Sequence, residues 1–447
     1  MSEKAPAGES SESVIARLRR NMGVLLTGGV ATTGFGVLTL ALNARALDPA
    51  LLGSLALIQS YVIILGRVFS FDTWQGLIRF GAEAHERGDA IGVRAIVSFA
   101  MLFDAGSALA AGTAGLILLF GFGGLLHLAP EHYPAAAFYT AALFLQLPGA
   151  PIGLMRLLNK FNWQTSIAVA EGAAKLAAAA VLYAIHAPFV AYVYSYGAIL
   201  IAGNLIRIGA ALLLFRAETG SLRLASAQEM KLVARRFVAF SGGSWLTGTL
   251  NVTRRDGTTL VVGALLGPAG AGFYAVAQRI VAPIRDVADM LRQALFPDLS
   301  KLVARAEHAK VMAVLRRVLL YTIPVAVLTL GGILVLGHLG IRVIAGPGYE
   351  RAFWPLVELG IACCLYICMP ALSSLVILYA GMRAYTLGAF AAAAVWAATF
   401  TVPMWMWGIE GAGIGEVIFL STWIAINVTL FRRAFRRKAA EAAAAAA

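Results

Sequence analysis

At 447 residues the chain could hold two or three soluble domains, but 60% of its residues are hydrophobic, 13% are charged and the mean hydropathy is +0.79. Soluble chains carry about a quarter charged residues, so this one has too little polar surface to face water and is expected to be an all-α polytopic membrane protein. The formal net charge of +13 has no basic soluble module to carry it, which excludes a nucleic-acid footprint.

A bilayer core about 30 Å thick needs roughly 20 mostly apolar residues per crossing helix. Lipid-exposed backbone has to be helical, because no water is present there to satisfy its polar groups. Residues 1–20 are polar, and Val14, Ile15 and Leu18 fall opposite Arg17 and Arg19 in the pattern of a short interfacial helix. The apolar run that follows is too long for a signal-peptide core and is expected to stay as the first span. Apolar runs bounded by charge or by Gly and Pro then predict twelve spans: 22–46, 51–78, 94–120, 134–157, 163–185, 189–215, 237–263, 268–296, 315–338, 353–380, 384–403 and 408–431. Six spans make a first lobe over 21–215, a charged linker covers 216–236, six more make a second lobe over 237–431, and a basic then Ala-rich tail fills 432–447. Of the 36 basic residues, cytoplasmic segments hold 25 and outer loops only Arg45, Arg342 and Arg351. Since Lys and Arg favour cytoplasmic loops, both termini and the linker are expected in the cytoplasm, with Trp354, Trp405 and Trp407 as outer interfacial anchors.

The two lobes are linked by a repeat. Pro49, Gly53, Ala56 and Gln59 recur without gaps as Pro268, Gly272, Ala275 and Gln278. Each copy sits where the first helix of a lobe turns into the second, and an even number of helices per lobe makes the repeats parallel, about an axis along the membrane normal.

Ionisable residues inside spans are costly and face a cavity or a partner. Sixteen occur: the bases Arg67, Lys175, Arg207, Arg254, Arg255, Arg279, Arg285 and Arg292, and the acids Asp72, Asp104, Glu171, Asp256, Asp286, Asp289, Glu358 and Glu416. Arg285, Asp289 and Arg292 share one helical face, Arg279 and Asp286 another. The run Arg254-Arg255-Asp256 cannot turn wholly away from lipid unless its helix lines something wet. Glu171 and Lys175, four apart, are placed to pair with each other. Asp104 lies mid-helix with no base three or four residues away. Equal numbers of acids and bases imply a wet cavity without fixing its sign.

Cys363, Cys364 and Cys368 fall in one apolar run and read as small hydrophobes. The six histidines map to loops or helix ends, and neither a catalytic constellation nor a nucleotide-binding Gly-Lys-Ser/Thr motif appears. No enzyme activity, metal or cofactor is expected.

Twelve helices in two parallel halves, with Leu266-Gly267-Pro268 and Gly272-Phe273-Tyr274-Ala275 entering the eighth span and Phe296-Pro297-Asp298-Leu299-Ser300 leaving it, resemble the oligosaccharide and O-antigen flippases of the multidrug/oligosaccharidyl-lipid/polysaccharide exporter superfamily. The resemblance runs from Asn21 to about Arg433. It implies a bacterial inner-membrane carrier that moves a polyprenyl-diphosphate-linked oligosaccharide outward by alternating access, alongside other polysaccharide assembly proteins. It also implies a cationic lumen, for which Arg67, Arg254, Arg255, Arg279, Arg285 and Arg292 are the candidates, since a guanidinium holds phosphate through a planar fork of donors. The matching acid count departs from that pattern. Two related readings stay open. A drug/cation antiporter of the same fold would need an embedded acid for proton or sodium, with Asp104, Asp256, Asp289 and Glu416 as candidates for coupling or pairing. A lipid-linked peptidoglycan precursor flippase usually carries two further C-terminal helices.

Overall fold

The computed structural model describes residues 11–147, 149–305 and 307–446. The side chains of 11–22, 24–26, 125–126, 242–244, 246–247, 251, 293–294, 297 and 438–446 fall outside that description, and with them the expected interfacial face of Val14, Ile15 and Leu18. The elements are α1 (Ser11–Ala46), α2 (Pro49–Val68), α3 (Thr73–Glu86), α4 (Ala90–Phe122), α5 (Tyr133–Ala141), α6 (Ala150–Leu157), α7 (Phe161–Ala184), α8 (Phe189–Thr219), α9 (Ala227–Ala304), α10 (His308–Ile344), α11 (Phe353–Ala380), α12 (Met382–Thr399), α13 (Thr401–Trp407) and α14 (Ile414–Ala446). Short 3₁₀ turns and loops join them, and the described residues contain no strand.

Among the described residues, nine helical stretches are long and apolar enough to cross a membrane, or ten if the bent pair Pro130–Leu145 and Ala150–Leu157 is one span. One of the nine, Gly248–Arg292, contains a sharp break, and α1 is not among them. The protein is therefore an all-α, multi-pass membrane protein.

Several expected spans are interrupted, each for a local reason. The span expected at 51–78 is split because Asp72 takes a left-handed conformation (φ 50, ψ 37) between α2 and α3. The span expected at 134–157 bends by 43° between α5 and α6. The linker is mostly helical: α8 continues to Thr219, where Gly220 (φ 72) ends it, and α9 starts at Ala227. A capping box opens α9, with Ser226 and Glu229 each bonding the other's backbone N–H. The tail continues α14 as helix to Ala446.

α9 is two helices in one run of 78 residues. Gly267 (φ 75, ψ 175) breaks it into arms 227–266 and 268–304, in a conformation that side-chain-bearing residues rarely adopt. Pro268 begins the second arm as Pro49 begins α2. In α2, Asp48 caps the start by accepting from the N–H groups of Ala50 and Leu51, 2.8 Å each. These repeated segments meet in space. A β-carbon at Gly53 would collide with the Pro268 carbonyl, and one at Gly272 with the Pro49 carbonyl. α2 and the second arm of α9 thus cross backbone to backbone, reciprocally, which only small residues allow.

Two further contacts bracket this crossing. Where α1 turns into α2, Tyr349 donates to the Leu47 carbonyl (2.9 Å) and Arg45 to the Val343 carbonyl (2.7 Å). At the other end of α2, Trp245 donates to the Val68 carbonyl (2.9 Å) and stacks on Phe71 at 5.0 Å. The largest buried cluster joins α2 (Leu52, Ile58), α8 (Tyr192, Tyr196), the second arm of α9 (Tyr274, Val281) and α11 (Leu356). It holds elements from both sides of the linker in one core.

Gly272→Leu should therefore destabilise the protein, by about 1–3 kcal/mol from overpacking, whereas Gly331→Leu, with open space around its α-carbon, should not. Thermal melting of the two variants in detergent checks this.

Candidate functional site

A cavity of about 610 Å³ lies where α1, α2, α7, α8 and both arms of α9 converge, within the size range of ligand pockets. The repeat builds it. Ala56 and Gln59 of α2 and their counterparts Ala275 and Gln278 of α9 all line the cavity, three and six residues beyond the crossing glycines and so on the same helical face. One wall is uncharged and hydrogen-bonding, with Asn43, Gln59, Ser60, Gln146 and Tyr196; Tyr196 donates to Asn43 Oδ1 at 2.7 Å.

The lining also carries charge. Lys175 of α7, Arg255 of the first arm, and Arg279 and Arg285 of the second arm line the cavity with two acids, Glu171 and Asp256. They form one electrostatic cluster: Lys175 interacts with Arg279 and Glu171, Arg279 with Arg255 and with Asp286 beyond the cavity lining, and Asp256 with Arg285. Glu171 does not pair with Lys175 as its spacing suggested. It pairs with Arg207 of α8 at 2.6 Å, and Asp256 pairs with Arg255 at 3.2 Å. Lys175, Arg279 and Arg285 have no acid within 4 Å among the described residues. Arg285 makes one hydrogen bond, to the Gln278 carbonyl at 3.2 Å.

Glycines on neighbouring helices seat these charges. A β-carbon at Gly36 of α1 would collide with the Arg279 guanidinium, and one at Gly203 of α8 with the Glu171 carboxylate. The same device holds Arg67 at Gly248.

Of the expected site residues, Arg255, Asp256, Arg279 and Arg285 come together on the cavity. The others lie elsewhere. Arg67 forks onto Asp72 at 2.7 and 2.9 Å, at the break between α2 and α3. Arg254, 8% exposed, points away from the cavity into an ion pair with Glu416 of α14 and lies 4.1 Å over the Phe419 ring. Arg292 is half-exposed beside Asp289 (3.5 Å), which also accepts from Tyr366 (2.9 Å). Asp104, 1% exposed, accepts from Thr73 (2.7 Å) and from the N–H groups of Gly149 (2.9 Å) and Ala150 (2.5 Å), capping α6. Glu358 likewise accepts from the Gly413 N–H at 2.7 Å, and Asp286 from Thr33 at 2.6 Å. The equal acid and base counts are thus unequally distributed: four bases and two acids line the cavity, and the remaining acids hold helices together. Lys175 and Glu171 were visible in the sequence as deep charges, but their separation required Arg207 on another helix.

Comparison with known proteins fits this architecture. The sequence pattern of the family described as "Polysaccharide biosynthesis protein" matches residues 18–303. The inner membrane protein YghQ of Escherichia coli (strain K12) is 24% identical over 346 residues, covering 75% of this chain and 94% of that protein. Among solved structures, the lipid II flippase MurJ in an inward closed conformation aligns with a TM-score of 0.68 at 12% identity, over 92% of this chain and 90% of that one. An inward-facing multidrug resistance MATE family transporter of the MOP superfamily aligns with a TM-score of 0.60 at 14% identity, over 91% and 95%. The fold is that of the MOP superfamily.

The buried Arg254–Glu416 pair yields a direct test. Arg254→Gln should strand the Glu416 charge, a loss of about 3–5 kcal/mol, and lower the amount of protein in the membrane. Combining it with Glu416→Gln should restore most of that protein, as quantified by immunoblot of isolated membranes.

Proposed function

We propose, since this chain belongs to the polysaccharide biosynthesis protein family, that it carries a polyprenyl-diphosphate-linked oligosaccharide from the cytoplasmic to the periplasmic leaflet of a bacterial inner membrane by alternating access. The product would feed assembly of a surface polysaccharide such as an O-antigen, capsule or exopolysaccharide. One observation carries this reading: three cations with no acid within 4 Å among the described residues, Lys175, Arg279 and Arg285, line one cavity. Cations left bare in a low dielectric call for an anion, and Arg is suited to phosphate. The hydrogen-bonding wall of Asn43, Gln59, Ser60 and Gln146 suits sugar hydroxyls, and the lipid tail stays in the bilayer.

Counting α1 and the two arms of α9 separately, together with the bent pair, brings the crossings to twelve, in lobes 21–215 and 237–431. The crossing of Gly53 and Gly272 lies between the lobes, where they would rock against each other. Both termini and the segment joining the lobes are cytoplasmic in this reading. A drug/cation antiporter is disfavoured because the same three cations would repel its substrate. The peptidoglycan precursor reading shares the diphosphate and differs in the glycan.

Arg279→Gln, Arg285→Gln and Lys175→Gln variants should reach the membrane at near-normal levels and lose most export, with Arg279→Lys and Arg285→Lys retaining part of it because charge persists without the fork. Surface polysaccharide and lipid-linked intermediates are measured in cells lacking the wild-type protein. An equal loss in Arg292→Gln, which lies off the cavity, would count against the site. For topology, a single cysteine at Ser221 in a variant lacking Cys363, Cys364 and Cys368 should resist a membrane-impermeant thiol reagent in intact cells, while one at Glu131 should react.

A further inference from the structure

A second basic region lies away from the cavity, at one end of the helix bundle. There the end of α9 (Leu299), the start of α10 (Val311, Leu315), the end of α11 (Leu375, Tyr379) and α14 (Phe431) meet in one buried cluster. His308 of α10 ties three of these helices together: it hydrogen-bonds with the Tyr379 hydroxyl at 2.8 Å, and its ring lies 5.6 Å from that of Phe435. Around this packed end Arg316 and Arg317 of α10, Arg383 of α12, and Arg432, Arg433 and Arg436 of α14 are exposed. None has an acid within 4 Å among the described residues, and the acids beside the α9–α10 turn are already taken, Asp298 by Lys301 at 3.8 Å and Glu307 by Lys310 at 2.7 Å.

Basic residues at the ends of membrane helices serve topology in general, so their number alone identifies no ligand. Two features set this rim apart. On or beside α3, α4 and α6 several arginines are engaged within the protein: Arg87 pairs with Glu83 (2.7 Å), Arg94 donates to the Thr219 carbonyl (3.3 Å), and Arg79 and Arg156 lie over the rings of Phe240 (4.6 Å) and Trp74 (4.5 Å). The arginines of the rim have no such partners. Secondly, three of them stand one helical turn from an exposed apolar side chain on the same face. Arg316 is followed by Leu320 (67% exposed), Arg317 by Tyr321 (66%) and Arg383 by Leu387 (60%). A bare cation bordering apolar surface matches a molecule with a phosphate at one end and an acyl chain at the other. A soluble anion or an acidic protein would leave the apolar part uncovered.

We propose that this rim binds anionic phospholipid, with the arginines of α10, α12 and α14 on the headgroup phosphates and the neighbouring apolar side chains against the acyl chains. The site is separate from the cavity, and it depends neither on the ligand assigned to that cavity nor on the orientation of the protein.

The test titrates the full-length protein, in a neutral detergent, with phosphatidylglycerol, with phosphatidylcholine of the same acyl chains, or with glycerol phosphate. Retained ligand is read by native mass spectrometry. Phosphatidylglycerol should be retained and the other two should not. Each basic residue near an anionic lipid surface is worth a roughly fivefold change in binding. The variant Arg316→Gln, Arg317→Gln, Arg432→Gln, Arg433→Gln should therefore lose affinity for phosphatidylglycerol by about tenfold or more. Its thermal melting should not change, because these side chains hold nothing together. Replacing the same four residues by Lys should keep most of the affinity. Equal retention of phosphatidylcholine, undiminished binding by the Gln variant, or a Lys variant no better than the Gln variant would overturn the proposal. Binding of glycerol phosphate as tight as that of the lipid would overturn it too, by making a soluble anion the ligand. None of these outcomes bears on the carrier reading of the cavity.

Discussion

Inside a bilayer a charge or a backbone polar group has no water to turn to, and nearly every feature of this structure answers that constraint. Acids within the spans become structural parts: Asp104 caps α6, Glu358 receives the N–H of Gly413 ahead of α14, and Glu416 holds Arg254 over the Phe419 ring. Once those acids are committed, Lys175, Arg279 and Arg285 line the cavity with no acid within 4 Å among the described residues. The sign of the cavity is thus a consequence of how the rest of the bundle is held together.

Glycine makes this possible in two ways. At Gly53 and Gly272 it lets α2 and the second arm of α9 touch through their backbones, which brings the repeated helices close enough for Gln59 and Gln278 to face a common space. At Gly36 and Gly203 it leaves a notch in a neighbouring helix where a charged side chain fits. Both uses depend on a missing β-carbon, but the first sets the architecture and the second places individual charges.

The repeat also explains why the cavity is lopsided. α2 and the second arm of α9 present the same face, yet Ser60 in the first copy corresponds to Arg279 in the second, and Gly66 to Arg285. The repeated helices thus contribute different groups to the lining, Gln59 and Ser60 from the first copy and Gln278, Arg279 and Arg285 from the second. A ligand with an anionic end and a hydroxyl-rich end matches that division.

The sequence alone determined the class of the protein, because composition and the length of apolar runs are properties of the solvent a chain must face. It also revealed the repeat of Pro49, Gly53, Ala56 and Gln59 as Pro268, Gly272, Ala275 and Gln278, while the crossing of the two copies came only from the fold. It could name the sixteen embedded charges but not sort them, because spacing along a helix reports only which residues share a face. Arg254 and Arg255 are neighbours in the chain and point to different surroundings, one to Glu416 and one to the cavity. Glu171 has Lys175 a turn away and is claimed instead by Arg207 from α8. Which acid neutralises which base is decided across helices, by packing that brings distant residues within a few ångströms, and so only the tertiary structure could separate charges that bind the bundle together from charges that face the cavity.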